Sequence, residues 1–174
     1  IKKRIHQIKL FINHPHEVQE ELRQSLVDKA KNTYFGRTHD FNSIKNQKDF
    51  SEHIPLHQYE DLEPYIYRMR SGEQNVLWPS KIKWFAKSSG TTNSKSKFIP
   101  VSNDAIEDCH YKGGKDLLSI YCNNYPETNI FKGKSLMLGG SHQMSPLSDS
   151  MFEGDLSAII LENLPFWVQL QRSP

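Results

Sequence analysis

The stretch that most constrains this chain runs from Trp84 to Ser102, WFAKSSGTTNSKSKFIPVS. It opens on an apolar run, Trp84-Phe85-Ala86, and closes on a second extended run, Phe98-Ile99-Pro100-Val101. Short apolar runs bounded by turn-forming residues read as strands. Between them stand Ser88, Ser89, Gly90, Thr91 and Thr92, followed by Lys95 and Lys97. The pattern predicts an exposed loop, Ser88 to Lys95, joining two extended segments. Such a turn presents backbone N–H groups, its hydroxyls add donors, and the lysines add charge, which together suit a polyphosphate. Gly90 permits a backbone angle or a close approach that a side chain blocks. The plain alternative is a solvated hairpin loop, since loops collect these residues for turn-forming reasons. A Walker loop does not fit. It requires a second glycine directly before the lysine and a helix after it, whereas here an extended run follows.

SSGTT followed by a lysine resembles the phosphate-binding signature of the adenylate-forming superfamily. Within it, AKSSGTT…KSKFIPVS is similar to the auxin-responsive acyl-acid amido synthetase family, especially its bacterial branch. FGRTHDF (Phe35 to Phe41), YEDLEPYI (Tyr59 to Ile66), GEQNVLWP (Gly72 to Pro79), HYKGGKD (His110 to Asp116) and GDLSAI (Gly154 to Ile159) extend the resemblance along nearly all of the chain. Ser94 stands where the common form of the signature has a glycine. The resemblance implies residues 1–174 of an incomplete N-terminal adenylation domain, with a smaller C-terminal lid domain beyond Pro174. It implies an ATP-dependent ligase that adenylates an acyl acid and passes the acyl group to the amine of an amino acid, with magnesium accompanying the phosphates. The nucleotide-binding residues would be Ser88, Ser89, Gly90, Thr91, Thr92 and Lys95. The adenine and α-phosphate motifs would lie later in the chain, and no catalytic residue is assigned. The rivals are a truncated, non-catalytic nucleotide-binding or interaction module and a phosphotransferase with an unusual loop.

Charge narrows the partners. Lys and Arg number 22 against 20 Asp and Glu, a net charge of +2, so nothing points to nucleic acid. No apolar run approaches the ~20 residues that span a bilayer. Cys109 and Cys122, placed on one helix, lie roughly 20 Å apart at about 1.5 Å per residue. That is too far for a disulfide, and free thiols fit a reducing cytoplasm.

Helical periodicity organises the front of the chain. Ile1, Ile5, Ile8 and Ile12 fall on one stripe among Lys2, Lys3, Arg4 and Lys9, a terminal helix packed on the domain or one lying on a membrane surface. Pro15 suits the first turn of a second helix reaching about Thr33, with Val18, Leu22, Leu26 and Ala30 inward. His39-Asp40 reads as a polar turn in preference to a metal or acid–base pair. A short helix follows from Lys48 to His53. His57 to Met69 is helical with Tyr59, Leu62, Ile66 and Met69 inward, and Pro64 predicts a break into two pieces. Val76-Leu77-Trp78 reads as a short strand.

Beyond the hydroxyl-rich stretch, Ser102 is a good N-cap for a helix from Asn103 to about Asn123. Its inner face is expected at Ile106, Cys109, Gly113, Leu117, Ile120 and Tyr121. Gly113-Gly114 in a helix interior costs about 1 kcal/mol per glycine, which suggests a backbone, or else a ligand, passing close. Ser135 to Leu138 reads as a buried strand. Ser141, His142, Gln143 and Met144, just past its end, are expected to border the acyl pocket, because open α/β sheets bind ligands at that edge. Leu156 to Leu164 is a short helix stopped by Pro165. The fold class is α/β: several N-terminal helices, then strands alternating with helices.

Overall fold

In the computed structural model, residues 1–88, 96–134, 144–166 and 168 are described. The mixed α/β class holds. Five helices come first: α1 (Lys2–Asn13), α2 (Pro15–Ala30), α3 (Tyr34–Thr38), α4 (Gln47–His53) and α5 (Tyr59–Arg70). Strands β1 (Trp84–Lys87) and β2 (Phe98–Val101) follow, then a helix whose first part, Ala105–Tyr111, is π-helical and whose remainder is α6 (Lys112–Asn124). Strands β3 (Met144–Ser148) and β4 (Met151–Gly154) and helix α7 (Leu156–Glu162) complete the order.

The four described strands form one sheet in the order β2-β1-β4-β3. β1 pairs antiparallel with β2 and parallel with β4, and β3 pairs antiparallel with β4. Pro100 and Pro146 therefore sit on the two outer strands, the positions where a missing N–H breaks no ladder. Alternation along β1 sends its side chains to opposite faces. Phe85, fully buried, joins Ile66, Met69, Val76, Ile82 and Met151 on the face that α5 covers. Ala86 and its partly buried neighbour Trp84 join Val101, Ile106 and Ile159 on the face covered by the π segment and α7. A third cluster, Val27, Ala30, Phe41 and Ile44, unites α2 with the turn after α3.

Several expectations need correction. Pro64 does not split α5, which runs unbroken with Pro64 inside. The Asp61 carboxylate accepts from the Gln58 N–H at 2.8 Å to fix the first turn, and burial of Ile66 and Met69 outweighs the single lost backbone bond. Val76 to Trp78 is not a strand. The Val76 carbonyl instead accepts the Phe35 N–H at 2.9 Å. In α2 the inward stripe is Val27 and Ala30, with Leu22 and Leu26 exposed. Arg23 lies on that stripe, bonded to Glu20, Gln24 and the Lys45 carbonyl. Gly36 lies within α3, where a Cβ would come 2.2 Å from the Ala30 carbonyl oxygen. Only glycine allows that contact.

The largest correction concerns the helix after β2. It spans residues 103–124, as expected, and Ser102 caps it by accepting the Ala105 N–H at 3.0 Å. Of its expected inner face Ile106 is buried, but the later positions are not. Bonding from i to i+5 puts more residues into each turn, so Tyr111 follows Ile106 at a spacing of five; in α6 the least exposed of these positions are Asp116, which pairs with Arg4 of α1, and Ser119. The Tyr111 hydroxyl donates to the Asn163 carbonyl at 2.7 Å. Asp116 pairs with Arg4, which docks α1. Ile5 and Ile8 of α1 are half-buried and Ile1 and Ile12 exposed. Cys109, Leu117, Ile120 and Tyr121 face outward. No described atom lies within 4 Å of a Cβ built on Gly113 or Gly114, so no described backbone crosses there. The two glycines line an apolar groove of about 910 Å³ with Leu117, Ile160 and Leu164. Both cysteines are free. Among the described residues no helix is long and apolar enough to cross a membrane.

Asp104 ties this helix to the front of the chain. Its carboxylate accepts from Lys29 Nζ of α2 at 2.6 Å and from the Trp78 indole N–H at 2.8 Å. The Lys29 bond first, and the indole second, hold the Asp104 carboxyl below its ordinary value of 3.8. The sign follows: the anchor is fully present above the unfolded value and is lost as pH falls through the lower folded one. Asp104→Asn should therefore lower the melting temperature of the full-length protein at neutral pH. The gap from wild type should stay constant down to about pH 5 and close below about pH 4. Thermal melts across that range check it, and a gap that widens toward acid contradicts the assignment.

Candidate functional site

The register of β1 and β2 places the hydroxyl-rich stretch at one end of the sheet. Lys87 faces Phe98. One residue further on, the Ser88 N–H donates to the Lys97 carbonyl at 2.9 Å, and the Lys97 N–H donates to Ser88 Oγ at 3.3 Å. These bonds form a closed neck from which the intervening residues leave and return. Ser88 is exposed at the neck. Ser89, Gly90, Thr91, Thr92 and Lys95 lie outside the described residues.

The second predicted group approaches the same edge. Ser141, His142 and Gln143 lie outside the described residues, as does the strand expected at Ser135 to Leu138. Met144 is the first residue of β3, half-buried against the cluster of Ala86, Val101, Ile106 and Ile159. Pairing aligns Ile99, Ala86, Gly154 and Met144 in one row across the sheet. The row lies at the C-terminal ends of β1 and β4, the parallel pair. Ligands in open α/β sheets bind outside the carboxyl ends of such strands. The neck and Met144 thus share one sheet edge, although the sequence separates them widely. Strands β3 and β4 were not expected from the sequence; β3 contains Pro146, and the turn between the two strands is only two residues long.

Lys97 supplies positive charge at the neck. Its ammonium lies 3.2 Å from Glu60 Oε1 and 4.8 Å from the centroid of the Tyr59 ring. Glu60's own backbone N–H first, and Lys97 second, hold the Glu60 carboxyl below its ordinary value. Tyr59 also binds the main chain of Phe98: its Oη accepts from the N–H at 2.9 Å and donates to the carbonyl at 3.4 Å. The periodicity of α5 marks Tyr59 as a core position, and no spacing rule links residue 59 to residue 97. The one sequence signal was that Tyr59 and Glu60 open the YEDLEPYI stretch.

His39 and Asp40 are occupied locally. The His39 ring stacks on Phe35 with centroids 4.0 Å apart, its Nδ1 is 3.0 Å from the Phe35 carbonyl, and Asp40 accepts from Ser43 Oγ. Among the described residues no group of three or more His, Cys, Asp or Glu side chains is placed to hold a metal ion.

Residues 4–174 match the family described as GH3 family N-terminal domain. Jasmonoyl--L-amino acid synthetase JAR4 of Nicotiana attenuata is 32% identical over 92 residues, covering 52% of this chain and 16% of its own length. Indole-3-acetic acid-amido synthetase GH3.4 of Arabidopsis thaliana is 29% identical over 130 residues, covering 74% of this chain and 21% of its own length. The chain thus spans only a small part of the curated relatives it matches. These relatives are plant proteins, so a bacterial branch has no counterpart among them. A solved GH3.15 acyl acid amido synthetase superimposes with a TM-score of 0.75 at 20% identity, over 97% of this chain and 29% of that one. The same fold recurs, with a TM-score of 0.67 at 20% identity, in a structure described as AtGH3.15 in complex with 2,4-DB, over 90% of this chain and 26% of that one.

Removing Lys97 should let the Glu60 carboxyl titrate higher than in wild type. It should still titrate below its ordinary value, because the larger cause, its own N–H, remains. NMR titration of Glu60 in Lys97→Ala measures this. An unchanged Glu60 titration would mean that the ion pair does not form in solution.

Proposed function

Since the chain belongs to the GH3 family, as its N-terminal domain, we propose that it is the front part of an ATP-dependent acyl-acid amido synthetase. The observation that carries the reading is the shared sheet edge. The Ser88–Lys97 neck and the Met144–Gly154 pair stand side by side at the C-terminal ends of β1 and β4. A phosphate-binding stretch leaving the neck and an acyl pocket beside Met144 would bring two reacting anions together.

The reaction runs in two steps. The carboxylate oxygen of the acyl acid attacks the α-phosphorus of ATP, the bond to the β-phosphate oxygen breaks, and pyrophosphate leaves. The amine of an amino acid then attacks the activated carbonyl, AMP leaves with the acyl C–O electron pair, and the amine proton passes to solvent. A carboxylate nucleophile needs no general base. The burden is electrostatic: both reactants are anionic, and charge accumulates on the departing pyrophosphate. Fixed N–H and hydroxyl donors in residues 88–92, with Lys95 and Lys97, stabilise that charge. Magnesium would accompany the triphosphate and neutralise part of its charge. The partners are small molecules, an acyl acid and an amino acid, and the free thiols suit a cytoplasmic enzyme.

ATP–pyrophosphate exchange by the full-length protein across a panel of carboxylic acids tests the reading. Exchange with one acid supports it, and none with any acid overturns it. Residues 1–174 alone should bind ATP weakly and turn nothing over. In the full-length enzyme, Thr91→Val with Thr92→Val keeps shape and removes both hydroxyls. It should lower kcat for adenylation by about 10²–10³, the range for loss of one oxyanion donor, with little change in melting temperature. Lys95→Ala should mainly raise the KM for ATP, as loss of a point charge near the triphosphate tail does. Full activity in all three substitutions would reduce the stretch to a solvated hairpin. Met144→Trp should change which acids are accepted and leave ATP affinity alone.

A further inference from the structure

We propose that Tyr59 is a positioning residue for the Ser88–Lys97 neck of the nucleotide site, clasping the chain from outside the sheet where it enters β2; this rests on the nucleotide reading above. The register shows why a clasp is needed there. The Ser88 N–H bonds the Lys97 carbonyl, which therefore points toward β1, so Phe98, the next residue, turns its N–H and carbonyl away from β1. β2 is an outer strand among those described. Without another partner, both Phe98 groups would face an open sheet edge. The Tyr59 hydroxyl engages both, at 2.9 Å to the N–H and 3.4 Å to the carbonyl. One phenol thus does locally what a neighbouring strand would do. The next outward-facing position on β2 is Pro100, which has no N–H to satisfy.

The rest of α5 reinforces the hold. Glu60 pairs with Lys97 at 3.2 Å, and the Lys97 ammonium lies over the Tyr59 ring. At the far end of the helix, the Arg70 guanidinium stacks on the Phe98 ring at 3.8 Å and pairs with Glu153 of β4. Ile66 and Met69 fix α5 itself in the core. Anchored by these two residues, α5 therefore holds Lys97 and Phe98, where the chain returns to the sheet. Ser88, the first residue of the stretch, is held within the hairpin by its own N–H bond to Lys97. Donors that act on a transition state gain from being fixed beforehand, because no reorganisation is then needed at the moment of reaction.

The test uses the full-length enzyme and an acid that supports pyrophosphate exchange. Tyr59→Phe removes the phenolic oxygen and leaves the ring beneath Lys97. It should lower kcat for exchange about tenfold, equivalent to ~1.4 kcal/mol, with the KM for the acyl acid unchanged. The Phe98 amide should lose protection from hydrogen exchange. Tyr65→Phe, on the same helix but packed against Tyr34 and Phe35, should leave kcat unchanged and so separates positioning from a general loosening of α5. The proposal is overturned if Tyr59→Phe keeps full kcat, if the Phe98 amide stays protected, or if Tyr65→Phe slows exchange equally. A wild-type enzyme with no exchange for any acid removes the nucleotide reading and this proposal with it. An active wild type with an indifferent Tyr59→Phe removes the proposal alone.

Discussion

Everything described here depends on β1 being buried on both faces. Phe85 is driven into one cluster, and Trp84 and Ala86 into another, by the simple alternation of a strand. Burying a phenylalanine side chain contributes about 1.5–3 kcal/mol, and here that burial also draws α5 to one face while Ala86 and Val101 draw the π segment and α7 to the other. Pairing then does the rest. β2 folds back along one side of β1 and β4 runs parallel along the other, with the Trp84 and Phe152 rings 5.3 Å apart across that seam. Chain ends remote in sequence are thereby delivered to one edge of the sheet.

Ion pairs between elements refine this arrangement without founding it. Arg4–Asp116, Lys29–Asp104 and Arg70–Glu153 each join elements far apart in the chain. All remain partly open to solvent, where a pair contributes little on its own. Their geometry matters more than their energy. Arg70 combines its pair with stacking on Phe98, and Asp104 takes an indole N–H as well as an ammonium, so each fixes a direction as well as a distance.

What could be read from the chain followed from local chemistry. The apolar runs around the hydroxyl-rich stretch gave β1 and β2, Ser102 gave a helix start, and the spacing of Ile66 and Met69 gave the buried side of α5. Proline misled once. Pro64 looked like a break, yet only one backbone bond was at stake and tertiary burial outweighed it. Strands β3 and β4 carried no recognised signal, and the outer strand β3 accommodates Pro146. The site was half legible. The flanking apolar runs located the neck of the candidate site, but its contacts with Tyr59 and Glu60 were not legible, because they depend on which groups of β2 face outward. That is a property of strand pairing, and a single sequence carries no mark of it. Met144 was named for the position after an expected strand, whereas the row through Ala86 and Gly154 is what brings it to the edge.

The widened segment Ala105–Tyr111 has a further consequence. It acts as a phase shifter: a helix that enters with Ile106 inward leaves with Asp116 and Ser119 inward, so the greasy side of its second half is turned out. The winding upstream and the Asp116–Arg4 pair together set which way Leu117, Ile120 and Tyr121 point. Comparison with a relative whose helix is regularly wound would therefore mislead on one side of the shift. Aligned without a gap through Ser102, the two helices would agree as far as Ile106 and then disagree about every buried position that follows.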